Sequence, residues 1–340
     1  MVKKKIALTD EKKKELCAIV DRFAEAKILV IGDFILDQYI WGDVSRISPE
    51  APVPVVDVIR ETYVAGGSLN VGNNIQSLGA VVLPCGVIGN DRTGRAFLKF
   101  IKRKKIDIRG IIVDKNRRTT LKTRVIGQSQ QMVRFDRESK SELSSCHRES
   151  VIGFCREVIN DIDGVIIEDY GKGMITPELL EEIIPIAKEH NKFVAVDPKE
   201  KHFEYYKNST IMTPNKKEAY GAVGVALDDT LTSLEDVGKK LIKKVHCESL
   251  LITLGEDGMA LFEKGKSVKK IPTAAQEVFE VSGAGDTVIA VLSLAMAVGA
   301  SLFDAAVISN LAAGIVVGKV GTVAVKKKEL KDSIMDGVTS

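Results

Sequence analysis

Five short apolar runs in this chain each stop at a polar residue or a glycine, and the stretches between them are long enough for helices. Residues 27–31 run into Gly32-Asp33, and residues 165–167 into Glu168-Asp169-Tyr170-Gly171-Lys172-Gly173. Residues 193–196 end in Asp197-Pro198-Lys199, residues 210–212 in Thr213-Pro214-Asn215, and residues 250–254 in Gly255. Strands buried on both faces read as continuous apolar runs, and parallel neighbours need crossover connections that are usually helical. Thr176-Pro177 opens one such helix, running to about Glu189, with a capping hydroxyl followed by proline at the first helical position. The pattern predicts an α/β fold with a central, mostly parallel sheet flanked by helices. Its polar strand ends then line up along one edge, which is where open sheets of this kind bind ligands.

Two segments break the rhythm. Residues 35–64 and 119–135 alternate in the manner of β-strands, through Val55 to Ile59 in the first and Leu121, Thr123 and Val125 in the second. They predict a small separate sheet, standing over the ligand edge as a lid. Ahead of the first run, residues 10–26 carry Leu16, Ile19, Val20 and Phe23 at spacings of three and four, an amphipathic helix. The expected organisation is a helical extension over residues 1–26 and one domain over residues 27–340.

With 340 residues, 45% of them hydrophobic, the chain can bury a large core, and disorder is excluded. A net charge of +3 is far from the basic excess that coats a nucleic-acid or membrane surface, so neither partner is expected and a small polar molecule is. Five cysteines without a C-x-x-C pair fit neither a disulfide framework nor a zinc ribbon. Lys3-Lys4-Lys5 is followed by polar residues, not by the apolar segment of a signal peptide, and the expected location is the cytoplasm. The most apolar stretch, residues 288–300, has thirteen residues against the ~20 needed to span a bilayer, and predicts a buried helix.

That helix is opened by Ser282-Gly283-Ala284-Gly285-Asp286-Thr287. A glycine turn entering a helix leaves backbone N–H groups unpaired at the positive end of the helix dipole, which makes an anion site. A phosphoryl group in transfer spreads its charge over its outer oxygens and suits such a site. Asp286 would be a poor companion for a bound phosphate unless it has another task, and accepting the proton of an attacking hydroxyl supplies one. An ordinary helix cap would use the same residues. Neither a G-x-x-x-x-G-K-[ST] loop nor a G-x-G-x-x-G after the first strand occurs.

The residues around Asp286 resemble the C-terminal signature of the ribokinase-like (PfkB) sugar kinases. Gly66-Gly67-Ser68-Leu69-Asn70 resembles their N-terminal sugar-binding motif, and Asn215-Lys216-Lys217-Glu218 their metal and phosphate motif, in the same order over roughly residues 27–330. A narrower resemblance, to the bacterial D-glycero-β-D-manno-heptose 7-phosphate kinases, is carried by five separated segments at residues 45–56, 130–136, 197–199, 272–278 and 317–322. Many of those relatives also carry a C-terminal nucleotidyltransferase domain with an H-x-G-H motif. The four histidines here, His147, His190, His202 and His246, have no such spacing, so that second activity is not expected in this chain.

The resemblance implies a ribokinase-like fold, ATP as phosphoryl donor, Mg²⁺, and Asp286 as base, with the N–H groups of Gly283, Ala284 and Gly285 around the transferring group. Asp33, Gly66, Gly67 and Asn70 would bind the sugar. A substrate already carrying a phosphate needs cations away from the reacting hydroxyl; Arg124 and Arg134 in the lid and Lys172 in the loop after residue 168 are candidates, with Asp169 and Tyr170 as substrate contacts or supports for Lys172. Glu168 stands where relatives often show a small residue. Asn215 and Glu218 would act on Mg²⁺, Glu218 through water, and with Thr253, Gly255, Gly283, Gly285 and Asn310 would line the nucleotide cleft. A homodimer through the lid is expected, in which Trp41 would serve either lid packing or the dimer contact. Two alternatives stay open on the same fold: a kinase for another sugar or sugar phosphate, and a binding protein that has lost catalysis.

Overall fold

The computed structural model describes residues 8–128, 130–227, 231–275, 281–319, 321 and 323–336. Its strands are β1 (Lys27–Gly32), β2 (Phe34–Ile47), β3 (Pro54–Gly67), β4 (Val81–Gly89), β5 (Ile111–Asp114), β6 (Thr120–Gly127) and β7 (Gln130–Arg137), followed by β8 (Gly164–Glu168), β9 (Phe193–Asp197), β10 (Ile211–Met212), β11 (Ser249–Thr253), β12 (Met259–Glu263) and β13 (Lys269–Ile271). The helices are α1 (Asp10–Asp21), α2 (Ser68–Ser77), α3 (Arg92–Arg103), α4 (Ser145–Val158), α5 (Pro177–Glu189), α6 (Lys216–Ala222), α7 (Leu234–Val245), α8 (Ala284–Ala297), α9 (Leu302–Val317) and α10 (Lys327–Asp336).

Among the described residues the main sheet runs β13-β12-β11-β10-β9-β8-β1-β4-β5, parallel except where β12 and β13 turn back at one edge. All five apolar runs found in the sequence are strands of it. Every residue of β8 is buried, as a strand covered on both faces requires. One face packs against α1, α2, α8 and α9, the other against α4, α5 and α7, giving two apolar clusters divided by the sheet. β1 pairs with β4 on one side and β8 on the other. The chain therefore reverses its direction of travel across the sheet at β1, and a crevice opens there beyond the strand ends.

The two alternating segments form a second sheet, in the order β3-β2-β6-β7. β2 and β3 are antiparallel with bulges between Trp41 and Gly42 and between Val44 and Arg46, while β2 and β6 are parallel. Because β2 starts two residues after β1 and β3 ends where α2 begins, this sheet is tethered directly over the crevice.

Two boundaries differ from the sequence reading. The N-terminal helix stops at Asp21, where residues 22–25 tighten into a 3₁₀ turn that brings Phe23 into the core. Nor is it an appendage: Leu16, Val20 and Phe23 are fully buried in the cluster that holds α8 and α9, and Lys331 and Lys327 of α10 pair with Asp21. Residues 276–278 of the segment 272–278, and residues 320 and 322 of the segment 317–322, lie outside the described residues.

Candidate active site

α8 begins at the glycine turn as the sequence requires. Gly283 is its cap, with φ of 80°, a left-handed conformation that side chains other than glycine rarely adopt. The amides of Gly283 and Gly285 have no intramolecular partner among the described residues, but the Ala284 N–H donates to the Val281 carbonyl at 3.2 Å. Of the three donors expected to cradle an anion, Ala284 is thus already used in closing the turn.

In the first turn of α8, Asp286 is buried, and both of its oxygens are held. Oδ2 accepts from Asn70 Nδ2 at 2.6 Å, and Oδ1 from the Tyr170 hydroxyl at 2.6 Å. Burial raises its pKa above the ordinary aspartate value, against the lowering effect of those two hydrogen bonds. Asn70 stands in the first turn of α2, placed there by Gly66-Gly67. Gly67 has φ of 57°, and a methyl group on Gly66 would overlap the Oδ2 of Asp37. Tyr170 lies in the loop after β8. The structure thus joins α2, β8 and α8 at one carboxylate, from positions up to 216 residues apart.

Asp33 is placed differently from expectation. Its carboxylate accepts the N–H groups of Tyr170, Lys172 and Met174 at 3.0, 3.0 and 3.1 Å, so it fastens the loop after β8 instead of presenting itself to a sugar. Burial, then the nearby Asp169, push its pKa up to about 6. Asp169 is likewise turned inward, accepting from the Tyr206 hydroxyl and the Gly171 N–H at 2.7 Å and meeting His202 Nδ1 at 2.7 Å. With these partners it supports the loop after β8.

A lid carboxylate whose charge reaches Asp286 is Asp37, in β2. Strand register puts Asp37 opposite Lys122 and Tyr39 opposite Arg124, while Lys122 and Arg124 lie opposite Asp136 and Arg134 of β7. Directly opposed residues share a face of a sheet, so these side chains form one charged face of the lid. Arg124 pairs with Asp37, Arg134 with Asp136, and Lys172 with Glu138. All three predicted cations therefore have a carboxylate partner. Lys122, which the sequence reading missed, has no ion-pair partner among the described residues; its ammonium lies 5.4 Å over the Tyr170 ring. Burial lowers its pKa, opposed by Asp37 and reinforced by Lys172 and Arg134. Trp41 packs within the lid, donating to Thr62 at 3.3 Å beneath Arg60.

On the other side of the glycine turn is a cavity of about 430 Å³, lined by Thr253, Gly255, Met259, Gly285, Val288, Asn310 and Gly314 among others. Four residues assigned to the nucleotide, Thr253, Gly255, Gly285 and Asn310, are brought together there. Asn310 Nδ2 donates to the Pro272 carbonyl at 2.7 Å and so holds the cavity wall. Asn215 bridges to Thr253 beside it. Asn215 and Glu218 also cap α6 reciprocally: Asn215 Oδ1 accepts the Glu218 N–H at 3.0 Å, and Glu218 Oε2 accepts the Asn215 N–H at 2.9 Å. Among the described residues the box leaves one Glu218 oxygen uncommitted, and the donors here are all oxygens, so these residues fit a hydrated Mg²⁺.

The chain is 48% identical over 317 residues to the bifunctional protein HldE of Desulfatibacillum aliphaticivorans, and 45% identical over 315 residues to that of Geobacter metallireducens. These matches cover 93% and 92% of this chain but 65% and 64% of those proteins, so the chain spans about two thirds of the length of the curated relatives it matches. Solved structures of the same fold include phosphofructokinase-2 from Escherichia coli, with a TM-score of 0.73 at 16% identity over 92% of this chain and all of that one. Arabidopsis thaliana ribokinase follows with a TM-score of 0.67 at 17% identity, covering 91% and 98%. The model of the pfkB family carbohydrate kinases matches residues 25–329, which takes in the lid, the crevice and the glycine turn alike, and the chain belongs to that family.

Proposed function

We propose that this chain is an ATP-dependent kinase that phosphorylates the anomeric hydroxyl of D-glycero-β-D-manno-heptose 7-phosphate, giving heptose 1,7-bisphosphate for ADP-heptose and lipopolysaccharide-core synthesis. The observation that carries it is the charged lid face. Asp37 and Asn70 offer a carboxylate and an amide to sugar hydroxyls, while Lys122, with Arg124, Arg134 and Lys172, supplies positive charge for a phosphate already on the substrate. Arg124, Arg134 and Lys172 already meet carboxylates, so Lys122, with no ion-pair partner among the described residues, is the cation that a plain sugar would leave without an anion.

In this reading the sugar lies between Asp37, Asn70 and the lid, and ATP fills the cavity beside Asn310. Asp286, oriented by Asn70 and Tyr170, takes the proton of the attacking hydroxyl, and the amides of Gly283 and Gly285, without a partner among the described residues, face the phosphoryl group in transfer. Mg²⁺ near Asn215 and Glu218 would neutralise charge on the ATP phosphates. The exposed apolar side chains Ile47, Val58, Ile59, Val133 and Phe135 on the lid suit pairing with a second copy, and the proposed location is the cytoplasm.

ADP release measured with heptose 7-phosphate, fructose 6-phosphate, ribose and adenosine tests the assignment. Turnover is expected to be highest with heptose 7-phosphate and to exceed ribose by at least about 10²-fold, as a site built around a phosphate requires. Equal rates with ribose would overturn it, and no transfer to any acceptor would favour a binding protein. For the nucleotide side, Asn310→Ala is expected to raise the KM for ATP about tenfold, the loss of one buried hydrogen bond, with little change in the KM for sugar.

A further inference from the structure

Glu168 has no role in the site described so far, yet it is the last residue of β8, next to the crevice. Register places it beside Gly32 of β1 and beside Asp197 of β9. Adjacent strands lie roughly 4.8 Å apart, so in-register side chains on one face are neighbours. One oxygen each of Glu168, Asp197 and Asp286 lies within 4.8 Å of the others. A β-carbon at Gly32 would come within 2.7 Å of the Glu168 β-carbon and within 2.9 Å of that of Ser68, so the glycine makes room for Glu168 where it is.

Glu168 is fully buried, and apart from the Asp197 carboxyl beside it neither of its carboxylate oxygens has a hydrogen-bond partner among the described residues. Aspartates in this molecule that are buried for structural reasons look different: Asp33 and Asp169 each accept several hydrogen bonds. Every influence on Glu168 acts against its charge, burial first and then Asp197, Asp286 and Asp169. An uncompensated carboxylate in the interior costs several kcal/mol, and here three are placed together, with no lysine or arginine paired with Glu168 among the described residues. Oxygen donors without nitrogen or sulfur, carrying a net negative charge, are the donor set of a hard divalent cation such as Mg²⁺ or Mn²⁺.

We propose that Glu168 and Asp197 bind a divalent cation directly through their carboxylate oxygens, at the ends of β8 and β9 beside Asp286, and that they do so without nucleotide. The position adjoins Glu218, whose charge helps raise the Asp197 pKa and whose capping leaves room for a hydrated ion that meets the ATP phosphates, but it uses other ligands. A fixed cation at this point would offset the three carboxylates and favour the ionised form of Asp286. Binding of the metal alone needs neither sugar nor ATP, so the proposal stands or falls separately from the substrate assignment.

Mn²⁺ is titrated into the nucleotide-free protein and the free ion followed by electron paramagnetic resonance, and crystals soaked in MnCl₂ are examined for anomalous scattering. One Mn²⁺ per chain is expected, displaced by Mg²⁺, with an anomalous peak about 2.1 Å from oxygens of both Glu168 and Asp197. Glu168→Gln and Asp197→Asn should each weaken binding at least tenfold. Unchanged binding in a folded Glu168→Gln protein overturns the proposal. So does a peak found only at Asn215 and Glu218, or no peak, either of which means that Glu168 and Asp197 share a proton instead. Should one variant not fold, the peak position in the parent protein still decides.

Discussion

Asp286→Asn is expected to lower kcat by about 10²–10⁴-fold, the usual worth of a positioned general base, with the KM for sugar and for ATP changing only a few-fold. The separation of effects follows from the geometry. Asp286 is buried between Asn70 and the Tyr170 hydroxyl, and asparagine has the same size, so the joint between α2, β8 and α8 persists. The hydroxyl of Tyr170 rotates to suit either partner, and the amide oxygen still accepts from Asn70. What the variant loses is an oxygen able to take a proton. Steady-state kinetics on a protein whose melting temperature matches the parent measures this. Turnover within about tenfold of the parent would leave Asp286 as a helix-capping and joint-forming residue, and the base would have to be sought elsewhere in the crevice.

The main sheet was legible because strands buried on both faces leave a local mark: residues 27–31 or 250–254 can be recognised from five consecutive side chains. The glycine turn was legible for a similar reason, since Gly283 with its positive φ and the apolar helix behind it are neighbours in sequence. What a side chain at a strand end faces is set by a different part of the chain. Asp33 and Asp169 both looked like ligands, being carboxylates at the sheet's binding edge. Asp33 instead caps a loop 137 residues away, and Asp169 is claimed by Tyr206 and His202, which arrive with the turn after β9. No local pattern distinguishes a carboxylate that looks outward from one that has found three amides. Asp37 and Lys122 were missed for the opposite reason. They sit inside the alternating segments read as lid packing, although the period of two that defined the lid also puts Lys122 on the same face as Arg124. An acidic residue on that face, within an otherwise apolar start to β2, was the available sign.

Asp37→Ala should raise the KM for the sugar substrate by roughly 10²-fold, as removal of a hydrogen-bonding charge from a buried contact does, while the KM for ATP stays near the parent value. The Asp37 carboxylate lies close enough to Asp286 for its charge to raise the Asp286 pKa, and it also fixes Arg124, which without it would lose its ion-pair partner and relax toward solvent. Gly66→Ala is expected to act in the same direction through a different atom. Its added methyl would displace the Asp37 carboxylate, the nearest other obstacle being the Ile35 side chain at 3.3 Å. If both variants act on one oxygen, their effects cannot add. Placing Gly66→Ala in the Asp37→Ala background should then change the KM for sugar by less than about threefold, because residues in contact are strongly coupled in double-mutant cycles. Fully additive effects would mean that Gly66 shapes the sugar site by some other path and that Asp37 serves mainly to hold Arg124. A sugar KM unchanged in Asp37→Ala itself would remove the carboxylate from the binding site altogether.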